Sequence, residues 1–116
     1  MISKFLKGFV FAFKGIRYAF VSQINFRFHL FAALGIFLIS YFVGLTRTEW
    51  LWIITAIFLV LIAELINTLI ELLVDLISPD YNYNAGLIKD ISAASVLLTA
   101  VLAFTIGLFV FVPKIF

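Results

Sequence analysis

Glu64-Leu65-Ile66-Asn67-Thr68-Leu69-Ile70-Glu71-Leu72-Leu73-Val74-Asp75 lies inside an apolar run that begins at Trp50 and reaches Ile77. The run predicts one helix of about 28 residues, ~42 Å long, against a hydrocarbon core of ~30 Å. It therefore spans a bilayer and either tilts or protrudes. Ser78-Pro79-Asp80 stops it. Four polar side chains interrupt the run, and a charged group inside a span costs about 2.5–3.5 kcal/mol on insertion scales. At about 100° per residue, with Glu64 at 0°, Asn67 falls near ~300°, Glu71 near ~340° and Asp75 near ~20°. All four share one stripe, which must face protein or a wet cavity. If hydrocarbon begins at Trp50, about 20 residues cross it, and Glu64 lies inside the far boundary by ~8 Å. Glu71 lies near that boundary and Asp75 beyond it.

The rest of the chain is read around this helix. A first apolar run, Leu30–Leu45, extends with Phe28 and His29 to the minimum length of a span. Gly44, Thr46, Arg47, Thr48 and Glu49 make a short polar turn, and Trp50 and Trp52 mark a membrane–water interface. The polar segment from Asp80 to Lys89 leads into Ile91–Val112, which carries no charge and which Pro113 and Lys114 end. The expected organisation is one domain, 1–116: an amphipathic interfacial helix over 1–27, spans over 28–45, 50–77 and 91–112, and a loop over 78–90. Composition agrees. Of 116 residues, 66% are hydrophobic and 12% charged, with a mean hydropathy of +1.26. Soluble domains average about 45–50% apolar and ~25% charged. The fold class is all-α integral membrane. A cytosolic domain, a disordered chain and a nucleic-acid binder are excluded, and the lack of cysteine excludes disulfides and thiolate metal sites.

Charge distribution sets orientation. Lys4, Lys7, Lys14 and Arg17 alternate with Phe5, Phe9, Phe13 and Ile16, and no acid precedes Glu49. That pattern suits a basic amphipathic helix lying in the interface. Lys14 and Arg17 interrupt its apolar stretches and separate it from a secretory leader. Lys4, Lys7, Lys14, Arg17, Arg27 and Lys89 fall on one side of the spans, and Arg47 and Lys114 on the other. The richer side is cytoplasmic by the positive-inside rule. It holds the N-terminus and the 78–90 loop, and the C-terminus lies outside.

The side-chain types suggest a chemistry. A carboxylate withdrawn from water is a stronger base. Carboxylates at the interface can hold Mg²⁺ beside a nucleotide phosphate. A lysine there can neutralise phosphate charge. His29 is read as an interfacial hydrogen-bonding group rather than a metal ligand. Ser92, Ala93, Ala94 and Ser95 are small residues that permit close helix approach.

The run Glu64–Glu71, then Asp75, then Lys89-Asp90 followed by Ser92-Ala93-Ala94, resembles the prokaryotic diacylglycerol kinase/undecaprenol kinase family. The spacing Glu-x-x-Asn-Thr-x-Ile-Glu-x-x-x-Asp carries the resemblance. Asn25-Phe26-Arg27-Phe28-His29 looks like the motif before the first span in the undecaprenol-type branch. The resemblance implies an integral membrane homotrimer of the bacterial cytoplasmic membrane, with sites at subunit interfaces. It implies phosphorylation of a lipid alcohol with Mg-ATP. Glu64 matches the catalytic base, and Asn67 a site-supporting amide, with Asn25, Arg27 and Ala93 also supporting the site. Glu71 matches a metal ligand. Lys4, Glu71, Asp75, Asp80, Tyr81, Asn82, Lys89 and Asp90 match nucleotide-site residues. Gln23 stands where the family has a second metal-binding glutamate, and Asn82 where many members have histidine.

Two other functions match part of the pattern. A family member that has lost catalysis and binds lipid or assists assembly would explain Gln23. A small proton-coupled transporter would explain one deep glutamate. It leaves Glu71, Asp75, Lys89 and Asp90 without a role, and discontinuous helices are missing from the pattern.

Overall fold

The computed structural model describes residues 2–116. Its four helices are α1 (Ile2–Ser22), α2 (Ile24–Val43), α3 (Arg47–Ile77) and α4 (Tyr83–Ile115), and no strand occurs among the described residues. The last three are long and apolar enough to cross a membrane. At 1.5 Å per residue, α3 and α4 exceed ~45 Å, so their ends project beyond a ~30 Å hydrocarbon core. α3 is the central element. It packs chiefly along α4 and also against α2, while α1 touches α2 and α3.

Few side chains are buried within the chain. Ile53, Ala56, Val60 and Val74 of α3 and Ala85 and Val110 of α4 are the main apolar ones in the spans. Most Phe and Leu side chains face outward. In water such a surface would aggregate; in a bilayer it is the solvent-matched face.

Boundaries differ from those the sequence suggested. α2 ends at Val43, and Arg47, Thr48 and Glu49 join the first turn of α3, because the Thr46 cap starts that helix early. Three further boundaries differ as well. The N-terminal segment 1–27 is not one helix. It breaks at Gln23, whose backbone is extended (φ −115°, ψ 110°). Arg27 Nη1 reaches back and donates to the carbonyls of Phe20 and Val21, both at 2.8 Å. Those are among α1's final carbonyls, which have no helical partner, so the guanidinium caps the end of α1. Ala19 and Phe26 pack fully buried at this joint. Second, the loop is shorter than 78–90. Asn82 Oδ1 accepts from Ala85 N at 2.9 Å and starts α4 within the segment expected to be loop, because an N-cap outweighs the polarity of the segment. Third, α4 continues through Pro113 to Ile115. A proline this close to a helix end removes one hydrogen bond where carbonyls are already running out of partners.

Between α2 and α3 the chain turns in three residues. Gly44 takes φ 80°, the left-handed conformation that closes a helix, and its N–H donates to Ser40 O. Thr46 and Glu49 then form a reciprocal capping box at the start of α3. Lys114 Nζ lies 3.0 Å from Glu49 Oε1 and 3.3 Å from Gly44 O, which ties the end of α4 to this turn.

Candidate functional site

The polar stripe of α3 grades in burial along the helix. Glu64 and Asn67 are buried, Glu71 is half-buried and Asp75 is exposed. This is the order expected for a helix leaving hydrocarbon. The stripe faces both neighbours of α3. His29 Nε2 of α2 lies 3.3 Å from Glu64 Oε1. On the α4 side, Ser92 Oγ donates to Asn67 Oδ1 at 2.7 Å, and Asn67 Nδ2 donates to Glu71 Oε1 at 3.1 Å. The amide of Asn67 is thus fixed from one side by Ser92 and fixes Glu71 on the other. One turn further out, Lys89 Nζ meets Asp75 Oδ1 at 2.6 Å.

Beyond this stripe, where α3 ends and α4 begins, lies a pocket of about 240 Å³. Asp75, Asp80, Tyr81, Gly86, Lys89 and Asp90 line it. Tyr81 folds over the first turn of α4: a Cβ added at Gly86 would meet its Cε2 at 3.1 Å. The absent side chain at 86 therefore lets the ring lie close against the helix. Asn82 is committed to the turn, since its Nδ2 also donates to Ser78 Oγ at 2.6 Å.

A second cleft, about 450 Å³ and almost wholly apolar, opens between α2, α3 and α4. Ala32, Ala56, Ala103 and Gly107 keep its walls apart, and His29 lines it together with them. One histidine thus borders both the apolar cleft and the carboxyl group of Glu64.

The structure brings together six residues singled out from sequence: Glu64, Asn67 and Glu71 through the stripe, and Asp75, Lys89 and Asp90 around the pocket mouth. Asp80 and Tyr81 join the pocket wall. Others stand apart within one chain. Lys4 is exposed on α1, ~27 Å along the helix from Ser22, and does not line the pocket. Asn25 and Ala93 are exposed, and Arg27 is engaged on α1. Gln23 is half-buried at the joint, and its side chain makes no capping bond. No three His, Asp or Glu side chains converge as metal ligands among the described residues.

Sequence reading missed His29 and Ser92 as partners of the stripe. A signal for His29 existed. A deep membrane carboxylate needs a partner, and His29 is the one histidine of the chain, at the start of the first apolar run. Ser92 could not be told from the small residues beside it, because which of them faces Asn67 depends on how α4 rotates.

The chain is similar to known proteins along most of its length. The profile of the family described as prokaryotic diacylglycerol kinase matches residues 10–111. An undecaprenol kinase of Bacillus subtilis (strain 168) is 37% identical over 98% of this chain and 93% of its own length. A diacylglycerol kinase of Escherichia coli (strain K12) is 29% identical over 87% of this chain and 83% of its own. A diacylglycerol kinase of Synechocystis sp. is 35% identical over 88% of this chain but 59% of its own, longer sequence.

Proposed function

The chain belongs to the prokaryotic diacylglycerol kinase family, and on that premise we propose that it is a lipid kinase that moves the γ-phosphate of ATP to a lipid alcohol at the cytoplasmic face of a bacterial inner membrane. The observation that carries this reading is the graded stripe of α3: its buried carboxylate, Glu64, contacts His29 in the wall of the apolar cleft, and the stripe runs outward through Glu71 to Asp75 at the polar pocket. A lipid hydroxyl arrives from the membrane and a nucleotide from water, and they meet at one helix. Undecaprenol is the preferred alcohol in this reading, supported by the Bacillus subtilis relative's near-full-length match.

In the reaction, Glu64 takes the proton of the lipid hydroxyl as its oxygen bonds to the γ-phosphorus. The bond from that phosphorus to the bridging oxygen breaks, and ADP leaves. The proton remains on Glu64 until water collects it. Phosphoryl transfer is catalysed mainly by positioning and electrostatics, and the residues divide accordingly. Lys89 offers its ammonium to phosphate oxygens. Asn67 holds Glu71 in place. Asp75, Asp80, Tyr81 and Asp90 form the nucleotide side, with Asn82 shaping their turn. Arg27 positions α1, with Asn25 at the same joint, and Ala93, exposed on α4, would support the site from the face turned to a second copy.

Five of the six acids gather at this end, all but Glu49. Such a site repels a bare polyphosphate and needs a cation to bring it in. The available donors are oxygens, which match Mg²⁺. Glu71, with one oxygen taken by Asn67, and Gln23, with its side-chain carbonyl, would hold it. The ion supplies charge neutralisation of the phosphates.

A homotrimer with shared sites completes the reading. Little of α4 is buried within the chain although it packs along α3, and the polar pocket draws no lining from the basic α1. The α1 of a second copy, carrying Lys4, would cover it. The whole of 1–116 then acts as one kinase domain.

The test supplies purified protein with labelled ATP, Mg²⁺ and either undecaprenol or diacylglycerol in the same detergent. Label should appear in the lipid phase, with undecaprenol the better acceptor. Equal or greater labelling of diacylglycerol would reverse the substrate assignment. No label in either lipid would favour the non-catalytic reading that the neutral Gln23 suggests. Mixing Glu64→Gln and Lys89→Ala subunits should restore activity if sites cross subunits. No rescue in confirmed mixed oligomers would place each site in one chain.

A further inference from the structure

Glu64 is among the most deeply buried charged residues of the protein, its side chain 4% exposed. What holds its carboxylate decides where its oxygens point. Thr68 donates to the backbone carbonyl of Glu64, not to the carboxylate. Asn67 is turned toward Glu71. Among the described residues, the side-chain nitrogen brought to the carboxylate is His29 Nε2, 3.3 Å from Oε1. The two atoms are in close contact without yet having hydrogen-bond geometry, and contacts of this kind tighten when substrate closes a site.

We propose that His29 is a positioning residue for the lipid phosphorylation reaction: its Nε2–H holds Oε1 of Glu64 and leaves Oε2 to receive the proton of the alcohol. The inference rests on the kinase reading above. Three observations support it. First, the contact crosses from α2 to α3, so it fixes the carboxylate relative to the helix that also walls the apolar cleft. Second, the side chain of His29 is 22% exposed while that of Glu64 is 4% exposed, so the imidazole is the outer and the carboxylate the inner member. Third, the residue type matches the task. A lysine or arginine at this depth would carry a permanent charge, costly in hydrocarbon, and would hold Glu64 as an ion pair. An imidazole orients one oxygen through one N–H and leaves the other free to accept a proton. Small misplacements of a catalytic group cost on the order of 100-fold in rate.

The experiment uses the full chain, purified in detergent, with ATP and a long-chain prenol. It compares native protein, His29→Leu and His29→Gln, whose amide nitrogen stands near the place of Nε2. Elution volume and thermal midpoint are measured for each. His29→Leu should lose roughly 30- to 100-fold in kcat while KM for ATP stays within about twofold. His29→Gln should recover most of that loss. A kcat in His29→Leu equal to native overturns the proposal. So does a His29→Gln variant as impaired as His29→Leu, since the N–H would then not matter. A raised KM for prenol at unchanged kcat also overturns it, because His29 would be binding substrate instead. If His29→Leu elutes or melts abnormally, His29→Phe keeps the ring volume and is read by the same outcomes. Native protein that phosphorylates no lipid alcohol removes the kinase reading and this inference together, whereas active native protein with an equally active His29→Leu removes only the role of His29.

Discussion

The two ends of the helical bundle use the same kinds of side chain in opposite ways. At the α2–α3 turn, Glu49 is partnered within the chain: it completes a capping box with Thr46 and pairs with Lys114, which also reaches Gly44 O. At the other end, Glu64, Glu71, Asp75, Asp80 and Asp90 share Lys89 and a histidine. One end is satisfied by the chain itself. The other keeps an excess of acceptor oxygens beside an open pocket and an apolar cleft. Charges that close on one another hold a fold; charges left over are available to a ligand.

The sharpest way to break this contrast is at Glu64. Glu64→Gln keeps shape and removes the proposed base, so lipid phosphorylation should fall by at least ~100-fold, with elution volume unchanged. Turnover like the native protein's would remove Glu64 from the chemistry.

Lys89 is the next test. Its pairing with Asp75 joins two well-exposed side chains, and pairs of that kind contribute little to stability. Lys89→Ala should therefore melt like the native protein while KM for ATP rises about tenfold, the size of one lost charge-assisted contact. A lowered melting point at unchanged KM would make Lys89 structural, like Lys114.

Gln23 sharpens the comparison further. Replacing it by glutamate adds an anion at the joint of α1 and α2, near the acid-rich end. Gln23→Glu should lower the Mg²⁺ concentration for half-maximal activity several-fold, and Gln23→Ala should do less harm than Glu71→Ala. A Mg²⁺ titration of each variant decides this. An unchanged midpoint in Gln23→Glu would take residue 23 out of the metal site.

The smallest effect belongs to the closed end. Thr46→Ala removes the cap of α3, a loss of about 1 kcal/mol in stability. Thermal melting should register it while kcat and KM stay at native values. A change in kcat would mean that the two ends communicate through α3.

Much of the candidate site is legible in the order of residues along α3. The stripe of Glu64, Asn67, Glu71 and Asp75 follows from 3.6 residues per turn and from the cost of charge in lipid, and burial along α3 follows that order. Three spans follow from apolar runs of sufficient length. The boundaries are less legible. The break at Gln23 depends on Arg27 folding back onto α1, and the early start of α4 on the Asn82 cap. Both are single hydrogen-bonding choices that apolar periodicity does not record.

What the sequence determined by itself is whatever depends on one helix at a time: which segments enter lipid, which face of α3 is polar, and how deep each acid lies. What only the tertiary structure decided is which groups meet across helices. His29 against Glu64, Ser92 against Asn67 and Lys114 against Glu49 join residues 35, 25 and 65 positions apart. Helical periodicity fixes the angle of a side chain about its own axis. It leaves open how two helices rotate and slide against each other, and close packing of α2, α3 and α4 sets that.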